Sequence, residues 1–273
     1  MRMLKQSRGV GTVLAVVVIM IILAVAAVAY YVVSVSHSGT SSSSPTPTTC
    51  GSVITTDTTL SASIGPCSGN GLVIGASSIT LNCAGQTISS TLGTNAGINL
   101  TGRTKVTVEN CKVTGFQYGL LLTSSSGNTL SGNTANNNTN GFELDDSSNN
   151  NLTGNTASNN LKDGFYLTTS STNTFRGNTA NSNSGEGFAI EDFSNKNNLT
   201  GNTANSNDNG FYLFVSTGDT LTGNTANSNT GYGYSDDSTG SGTAGTANVY
   251  SVDECTSNHL GGSSPTGVCA SQP

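Results

Sequence analysis

Residues 127–145 read Gly-Asn-Thr-Leu-Ser-Gly-Asn-Thr-Ala-Asn-Asn-Asn-Thr-Asn-Gly-Phe-Glu-Leu-Asp, and four further copies of this phrase follow before residue 240. Each copy carries two markers. The first is Gly-Asn-Thr-Ala, beginning at Gly132, Gly154, Gly177, Gly201 and Gly223. The second is Gly-aromatic, at Gly141-Phe142, Gly164-Phe165, Gly187-Phe188, Gly210-Phe211 and Gly233-Tyr234, and it returns every 23 residues. A unit this short cannot enclose a core of its own and must stack on its neighbours, so the repeat signals a solenoid.

Within a unit the apolar residues alternate with period two, as in Phe142 and Leu144 around Glu143. That is strand periodicity, and Gly, Asn, Ser and Thr in this density are poor helix formers. Stacking the copies in register turns each apolar position into a column: Leu130, Leu152, Phe175, Leu199, Leu221; Phe142, Phe165, Phe188, Phe211, Tyr234; Leu144, Leu167, Ile190, Leu213. Neighbouring coils would lie roughly 4.8 Å apart, the spacing of paired strands. Asn133, Asn155, Asn178, Asn202 and Asn224 form a further column whose amides can bond from coil to coil. The glycine before each tolerates the positive φ of a sharp corner. The expected fold is all-β, a parallel β-helix with coils of about 23 residues, right-handed as crossovers between parallel strands are.

The phrase Asn-Thr-Leu-Ser-Gly-Asn-Thr-Ala followed by Gly-Phe-x-Leu resembles the repeats of the pectate-lyase-like superfamily, and within it the NosD-like proteins, from about Leu72 to Asp237. The resemblance implies the fold and little chemistry, because that superfamily holds lyases, hydrolases, epimerases and adhesins.

The chain opens with Arg2, Lys5 and Arg8, followed by an uncharged apolar run over residues 10–35. Such a run spans a bilayer as a helix, and the basic residues place its start inside. We therefore expect a cytoplasmic tail over 1–9, one transmembrane helix over 10–36 and an exported remainder, single-pass in the cell membrane. The alternative is secretion after cleavage, since Ala27-Val28-Ala29 has the small-x-small form of a signal-peptidase site. Arg8-Gly9-Val10 also resembles the prepilin-like leader of archaeal surface proteins, which is cut ahead of the helix and leaves it intact. Residues 37–49, rich in Ser, Thr and Pro, read as a stalk.

All six cysteines follow the apolar run, which in an exported chain argues for disulfides. Cys83 and Cys111 fall at similar places in adjacent coils, within bridging distance. The expected pairs are Cys83 with Cys111, and Cys50 with Cys67 and Cys255 with Cys269 as staples of the two ends. Residues 50–71 are the expected N-terminal cap, 72–238 the β-helix, and 239–273 a loosely ordered C-terminal cap or tail, because Asp236 occupies the position where the column calls for leucine.

Of the nine basic residues three precede the apolar run, leaving six against fifteen acidic residues, so the remainder carries 6 − 15 = −9. No basic groove exists for nucleic acid. Carboxylates recur on alternate coils in the outward columns Asp145, Thr168, Glu191, Phe214, Asp237 and Asp146, Thr169, Asp192, Val215, Ser238. Asp145 and Glu191 would stand roughly 9 to 10 Å apart from the strand spacing, near the upper limit for an inverting glycosidase pair. A calcium ion is the one cofactor these columns would suit; otherwise no metal or cofactor is expected. Turn-forming, solvated carboxylates are the simpler reading. The catalytic elements of the superfamily are missing: no Gly-His-Gly, Arg-Ile-Lys or Asp-Pro-His occurs, Arg176 belongs to another strand, and the two histidines, His37 and His259, lie outside the repeats. With methionines only at 1, 3 and 20, the copper role attached to the NosD name finds no ligands.

Between the inward residues of the same strand lie Glu143, Tyr166, Ala189, Tyr212 and Ser235. Tyr166 and Tyr212 suit stacking on sugar rings, although tyrosine is also an ordinary strand residue. Asn-x-Thr acceptor sites for glycosylation occur at Asn99, Asn137, Asn151 and Asn198. The expectation is a membrane-anchored cell-surface protein with a structural, adhesive or glycan-binding role through Tyr166, Tyr212, Asp145, Asp146, Glu191 and Asp192. The alternative is a polysaccharide lyase or glycoside hydrolase using Asp145 and Glu191.

Overall fold

A computed structural model describes residues 48–270 of the chain. The tail expected over 1–9, the span over 10–36 and all but the last two residues of the stalk lie outside the described residues. Among those described, no helix is long and apolar enough to cross a membrane. Strands of two to six residues pair parallel into one sheet of ten strands, a second of nine, and a third made of a four-stranded and a two-stranded piece. Isolated bridges from Thr134 through Thr156, Thr179 and Thr203 to Thr225 join those two pieces. The chain therefore visits each sheet once per coil, as expected for a β-helix.

Register follows the repeat. Phe142, Phe165, Phe188, Phe211 and Tyr234 pair in sequence along the first sheet; Leu130, Leu152, Phe175, Leu199 and Leu221 do so along the second. Both columns are fully buried. The strand spacing sets the ring spacing: centroids along the phenylalanine column lie 4.7 to 4.9 Å apart with planes within 12°. Phe175 meets Phe165 and Phe188 edge-on, at 5.9 and 6.2 Å, the second arrangement that aromatic quadrupoles favour.

The two glycines of each unit serve different ends. Gly132, Gly154, Gly177, Gly201 and Gly223 have φ between 60° and 63°, the left-handed corner expected for them. The glycine of the Gly-aromatic marker has no such φ. A Cβ on Gly141 would instead meet Gly164 O at 2.6 Å and the Ala157 Cβ at 2.7 Å, so close packing against the alanine column requires it.

Three corners carry amide ladders. Asn133, Asn155, Asn178, Asn202 and Asn224 each donate Nδ2 to the Oδ1 of the next member at 2.9 to 3.0 Å, ending on Asp253. The same Oδ1 also accepts the main-chain N–H of the residue before it in the ladder, as Asn178 does from Asn155 at 2.9 Å. A second ladder runs from Asn138 through Asn160, Asn183, Asn207 and Asn229 to Asn258. A third runs from Asn128 through Asn150, Asn173 and Asn197 to Asp219 and Asn248. All members but Asn258 are buried.

The disulfides join the expected pairs, Cys50 with Cys67, Cys83 with Cys111 and Cys255 with Cys269, with Cα separations of 5.4, 4.7 and 6.0 Å. The solenoid extends past the bounds of 72–238. Ser52–Ile54 pairs with Leu72–Ile74, and Ile64–Cys67 with Thr87–Ser90, so the expected N-terminal cap is itself a coil. The expected loose tail is one more coil: Val249–Ser251, Glu254–Thr256 and Gly261–Ser264 pair with Thr220–Thr222, Thr225–Asn227 and Tyr232–Asp236. The reason lies at Asp236, which ends the leucine column without ending the core. It is 4% exposed and accepts hydrogen bonds from Tyr250 Oη, Asn248 Nδ2, and the N–H and Oγ of Ser238. A fully satisfied buried carboxylate replaces the apolar contact.

Asn178→Ala removes four buried hydrogen bonds at once, those with Asn155 N, Asn155 Nδ2, Leu152 O and Asn202 Oδ1; Asn155 Nδ2 keeps Leu130 O and Asn202 Oδ1 keeps the main-chain N–H of residue 178. With about 0.5 to 1.5 kcal/mol for each bond lost and about 1 to 3 kcal/mol for a buried donor left without an acceptor, urea denaturation of the intact chain should show a loss of at least ~2.5 kcal/mol. Asn151→Ala, on the exposed side of a neighbouring strand, should lose under about 0.5 kcal/mol.

Candidate functional site

The outward side of the first sheet carries the chemically varied residues. Glu143, Tyr166, Ala189, Tyr212 and Ser235 pair in that order, and beside them Asp145, Thr168 and Glu191. Asp145 and Glu191 are thus two coils apart as expected, roughly 9 to 10 Å at the usual strand spacing. Asp192 N donates to Phe214 O and Asp237 N to Leu213 O, so Phe214 and Asp237 continue that column. Ala189 is fully buried although it points outward; Tyr166 and Tyr212, its partners on either side, cover it.

A further column borders the face, and the sequence reading passed over it. Asp163 N donates to Asn140 Oδ1, Glu186 N to Asp163 Oδ1, Asn209 N to Glu186 Oε2 and Tyr232 N to Asn209 Oδ1, at 2.7 to 3.2 Å. Its signal was available, because these residues immediately precede the Gly-aromatic markers.

Burial raises the proton affinity of several carboxyls here. It pushes Glu186 up to about 7, with Asp208 and Asp163 adding to the rise and the bonds from Asn209 opposing it. Glu143 is raised by burial and by Asp145 and Asp163, against the bond from Asn140. Asp163 is raised by burial, against the Glu186 N–H. Glu191 is raised by burial and then by Asp163 and Asp192. Tyr166 is pushed up to about 12 by burial and by Glu191 and Asp192; burial and Asp237 raise Tyr212. The face offers carboxyl and phenol groups that donate and accept hydrogen bonds, and its charge disfavours anions.

Asp146 and Asp192 stand apart from it. Their φ values of 47° and 48° place them at an exposed corner, where the carboxylate is a turn feature. Val215 continues that corner at φ 52°, and Phe193 adds φ 65° with 66% exposure. Phe193 is an extra residue: two positions separate Thr168 from Ser170, but three separate Glu191 from Ser194. Its N–H donates to Val215 O, so Phe193, Phe214 and Val215 form one exposed apolar edge of the face. Phe214 in turn lies beside Tyr212, with ring centroids 6.2 Å apart and planes 7° from parallel. The sequence reading had placed Phe214 in a carboxylate column and gave no role to Phe193.

The remaining candidates lie elsewhere. Asn151 and Asn198 are exposed on the second sheet, their Oδ1 accepting from Thr153 Oγ1 and Thr200 Oγ1. Asn137 is exposed at a corner, whereas Asn99 is half-buried and bonded to Thr101. Arg176 is on the second sheet and His259 on the last coil, both exposed. Among the described residues no group of three or more His, Cys, Asp or Glu side chains could hold a metal ion.

Residues 70–226 match the family model described as right handed beta helix region. No curated protein is detected as a relative. Among solved structures, the Dettilon tailspike protein is 14% identical with a TM-score of 0.51, the match covering 77% of this chain and 54% of that one. An alginate lyase from Paenibacillus sp. str. FPU-7 is 12% identical with a TM-score of 0.48, over 84% of this chain and 93% of that one. The chain spans about half the length of the tailspike, and at these identities the likeness is one of fold.

The raised Glu186 carboxyl makes a signed prediction. A folded value near 7 against an ordinary 4.5 means that the folded chain holds the proton more tightly, so stability falls as pH rises through that window. Glu186→Gln keeps an acceptor for Asn209 N–H. Its melting temperature should match wild type below about pH 4.5 and exceed it above about pH 7.

Proposed function

From the premise that this chain belongs to the right-handed β-helix family, we propose that it is a membrane-anchored cell-surface protein that binds glycan across the outward face of its first sheet. One observation carries the reading: the half-buried Tyr212 and the exposed Phe214 present near-parallel rings, with Tyr166 two coils along the same face. Flat aromatic faces take the apolar side of a sugar ring. The surrounding Glu143, Asp163, Glu186 and Glu191 supply partners for hydroxyl groups. Asp145 lies within the same face, whereas Asp146 and Asp192 contribute to its corner.

The apolar run over residues 10–35 after Arg2, Lys5 and Arg8 supports anchoring with the solenoid outside. Three disulfides support the same oxidising compartment. Within the family the repeat most resembles NosD-like proteins, and Arg8-Gly9-Val10 resembles a prepilin-like leader. Exposed Asn137, Asn151 and Asn198 are the better placed glycan acceptors. The enzyme alternative keeps one supporting feature, the proton-retaining Glu191 two coils from Asp145.

The test is a glycan array probed with the intact chain in detergent, with and without calcium, followed by a product assay on every hit. Binding without turnover is expected, weakened about tenfold, or ~1.4 kcal/mol, by Tyr166→Ala, Tyr212→Ala or Phe214→Ala. Turnover abolished by Asp145→Asn or Glu191→Gln would replace the reading with a lyase or hydrolase, and a blank array would sink the glycan reading. Binding strengthened by calcium and lost in Asp145→Asn would add the ion to the face.

The anchor is tested by alkaline carbonate extraction, after which the chain should stay in the membrane fraction. A soluble mature chain beginning after Ala29 would mark it as secreted.

A further inference from the structure

The amide ladder that starts at Asn128 changes chemistry at one rung. Asn128, Asn150, Asn173, Asn197 and Asn248 carry amides, but the rung between the last two is Asp219. Asp219 is fully buried. Its Oδ1 accepts Asn197 N at 2.6 Å, and its own N donates to Asn248 Oδ1 at 2.8 Å, so the main-chain part of the rung is intact. Its Oδ2 is buried without a partner.

The missing bond is identified by the other rungs. Asn128, Asn150, Asn173 and Asn248 each aim Nδ2 at a main-chain carbonyl of the preceding coil, namely those of Arg103, Ser125, Ser147 and Ser216. A carboxylate has no such donor. The carbonyl that Asp219 would have reached by the same spacing, Ser194 O, is taken instead by Asn197 Nδ2. An ionised Asp219 would therefore be a buried charge with one oxygen unsatisfied, the arrangement that proteins avoid by protonation.

Its surroundings add no cation in the interior. Asp236 faces it from the next coil, holding Asn248 Nδ2 and Tyr250 Oη. Asp253 is the acid at the end of the neighbouring ladder, and both its oxygens are bonded, Oδ1 to Asn224 and Oδ2 to Ser251 N. Lys196 lies against Gly218 on the coil before, with its side chain exposed. Burial, opposed by the Asn197 bonds and reinforced by Asp236, pushes Asp219 up to about 7.

Apart from the main chain itself, the coil beyond Asp219 has no disulfide to the rest of the solenoid. Cys255 and Cys269 both belong to it, so their disulfide closes the coil on itself. Hydrogen bonds, strand pairing and the edge-on contact of Tyr250 with Tyr234 hold it in place. We propose that Asp219 stands in the ladder as a neutral carboxylic acid, its Oδ2 carrying the proton, and that residues 239–270 form a latch that seats while Asp219 is protonated and releases as it ionises. The direction follows from the folded chain holding the proton more tightly: seating is strongest in acid and is lost as pH rises through the Asp219 titration. Release would uncover the strand edges at Thr220–Thr222 and Tyr232–Asp236, which are templates for pairing with another strand.

The test is backbone hydrogen exchange of the intact chain in detergent between about pH 5 and about pH 8, corrected for the intrinsic pH dependence of exchange. In a Glu186→Gln background, which removes that carboxyl's own titration from the solenoid, protection of residues 239–270 should fall about tenfold per pH unit above the midpoint, as one proton requires, while residues 72–213 keep theirs. Asp219→Asn restores the amide donor and should remove that fall; Glu254→Gln, at an exposed acid of the same coil, should leave it unchanged. Protection that does not vary with pH, or a tenfold-per-unit fall that survives Asp219→Asn or disappears in Glu254→Gln, overturns the proposal. A measurement on the unaltered sequence stands beside the variants. In a chain carrying 13C-labelled aspartate, one carboxyl resonance should titrate together with the loss of protection, and titration of every aspartate well below that pH also overturns it.

Discussion

A coil that turns three times within about two dozen residues turns main-chain amides inward at every corner, and a buried amide must find a hydrogen-bond partner. The asparagine ladders meet that constraint. In the Asn133 ladder each amide oxygen takes the N–H of the residue one coil away while its own nitrogen reaches the next oxygen and a carbonyl behind it. Everything else depends on this arrangement. Strand register, the stacking of phenylalanine rings at strand spacing and the close packing of glycine on alanine hold only if successive corners superimpose. The ladder also explains why so polar a chain has a core: many of its buried polar atoms sit in bonded columns, where a low dielectric strengthens each bond.

The same superposition makes the outward columns useful. Residues facing solvent from a rigid stack keep fixed spacings, so side chains two coils apart can address one extended ligand without loop ordering. The first sheet uses this freedom for acids and aromatics. The second sheet faces outward mainly with threonine and asparagine at the corresponding positions, a surface with little to distinguish one coil from the next.

Much of this was legible in residues 127–238, because a repeat reports each structural position several times. The Leu130 and Phe142 columns, the Asn133 ladder and the left-handed glycines all follow from periodicity alone. The ladders of Asn128 and Asn138 carry the same signal and were hidden by the abundance of asparagine around them. The ends were harder. Val249 to Ser251 forms the last strand of the second sheet after a longer insertion that breaks the repeat spacing, and a Gly-rich composition there reads as a tail. The candidate face was half legible: Tyr166, Tyr212, Asp145 and Glu191 come from alternation. The protruding edge made by Phe193 depends on one inserted residue and a positive φ, which alternation does not encode.

Ladder steps of 22, 23, 24, 22 and 29 residues connect Asn133 to Asp253. The stack thus counts turns and is indifferent to the number of residues spent on each. Insertions at a corner decorate the surface without disturbing the stack, as Phe193 does. Duplication of a whole turn would lengthen the molecule by one strand spacing and leave the contacts within every other turn as they were. Reach is then the property that evolution can alter in this chain with least disturbance, by copying turns, while binding character drifts independently at the corners.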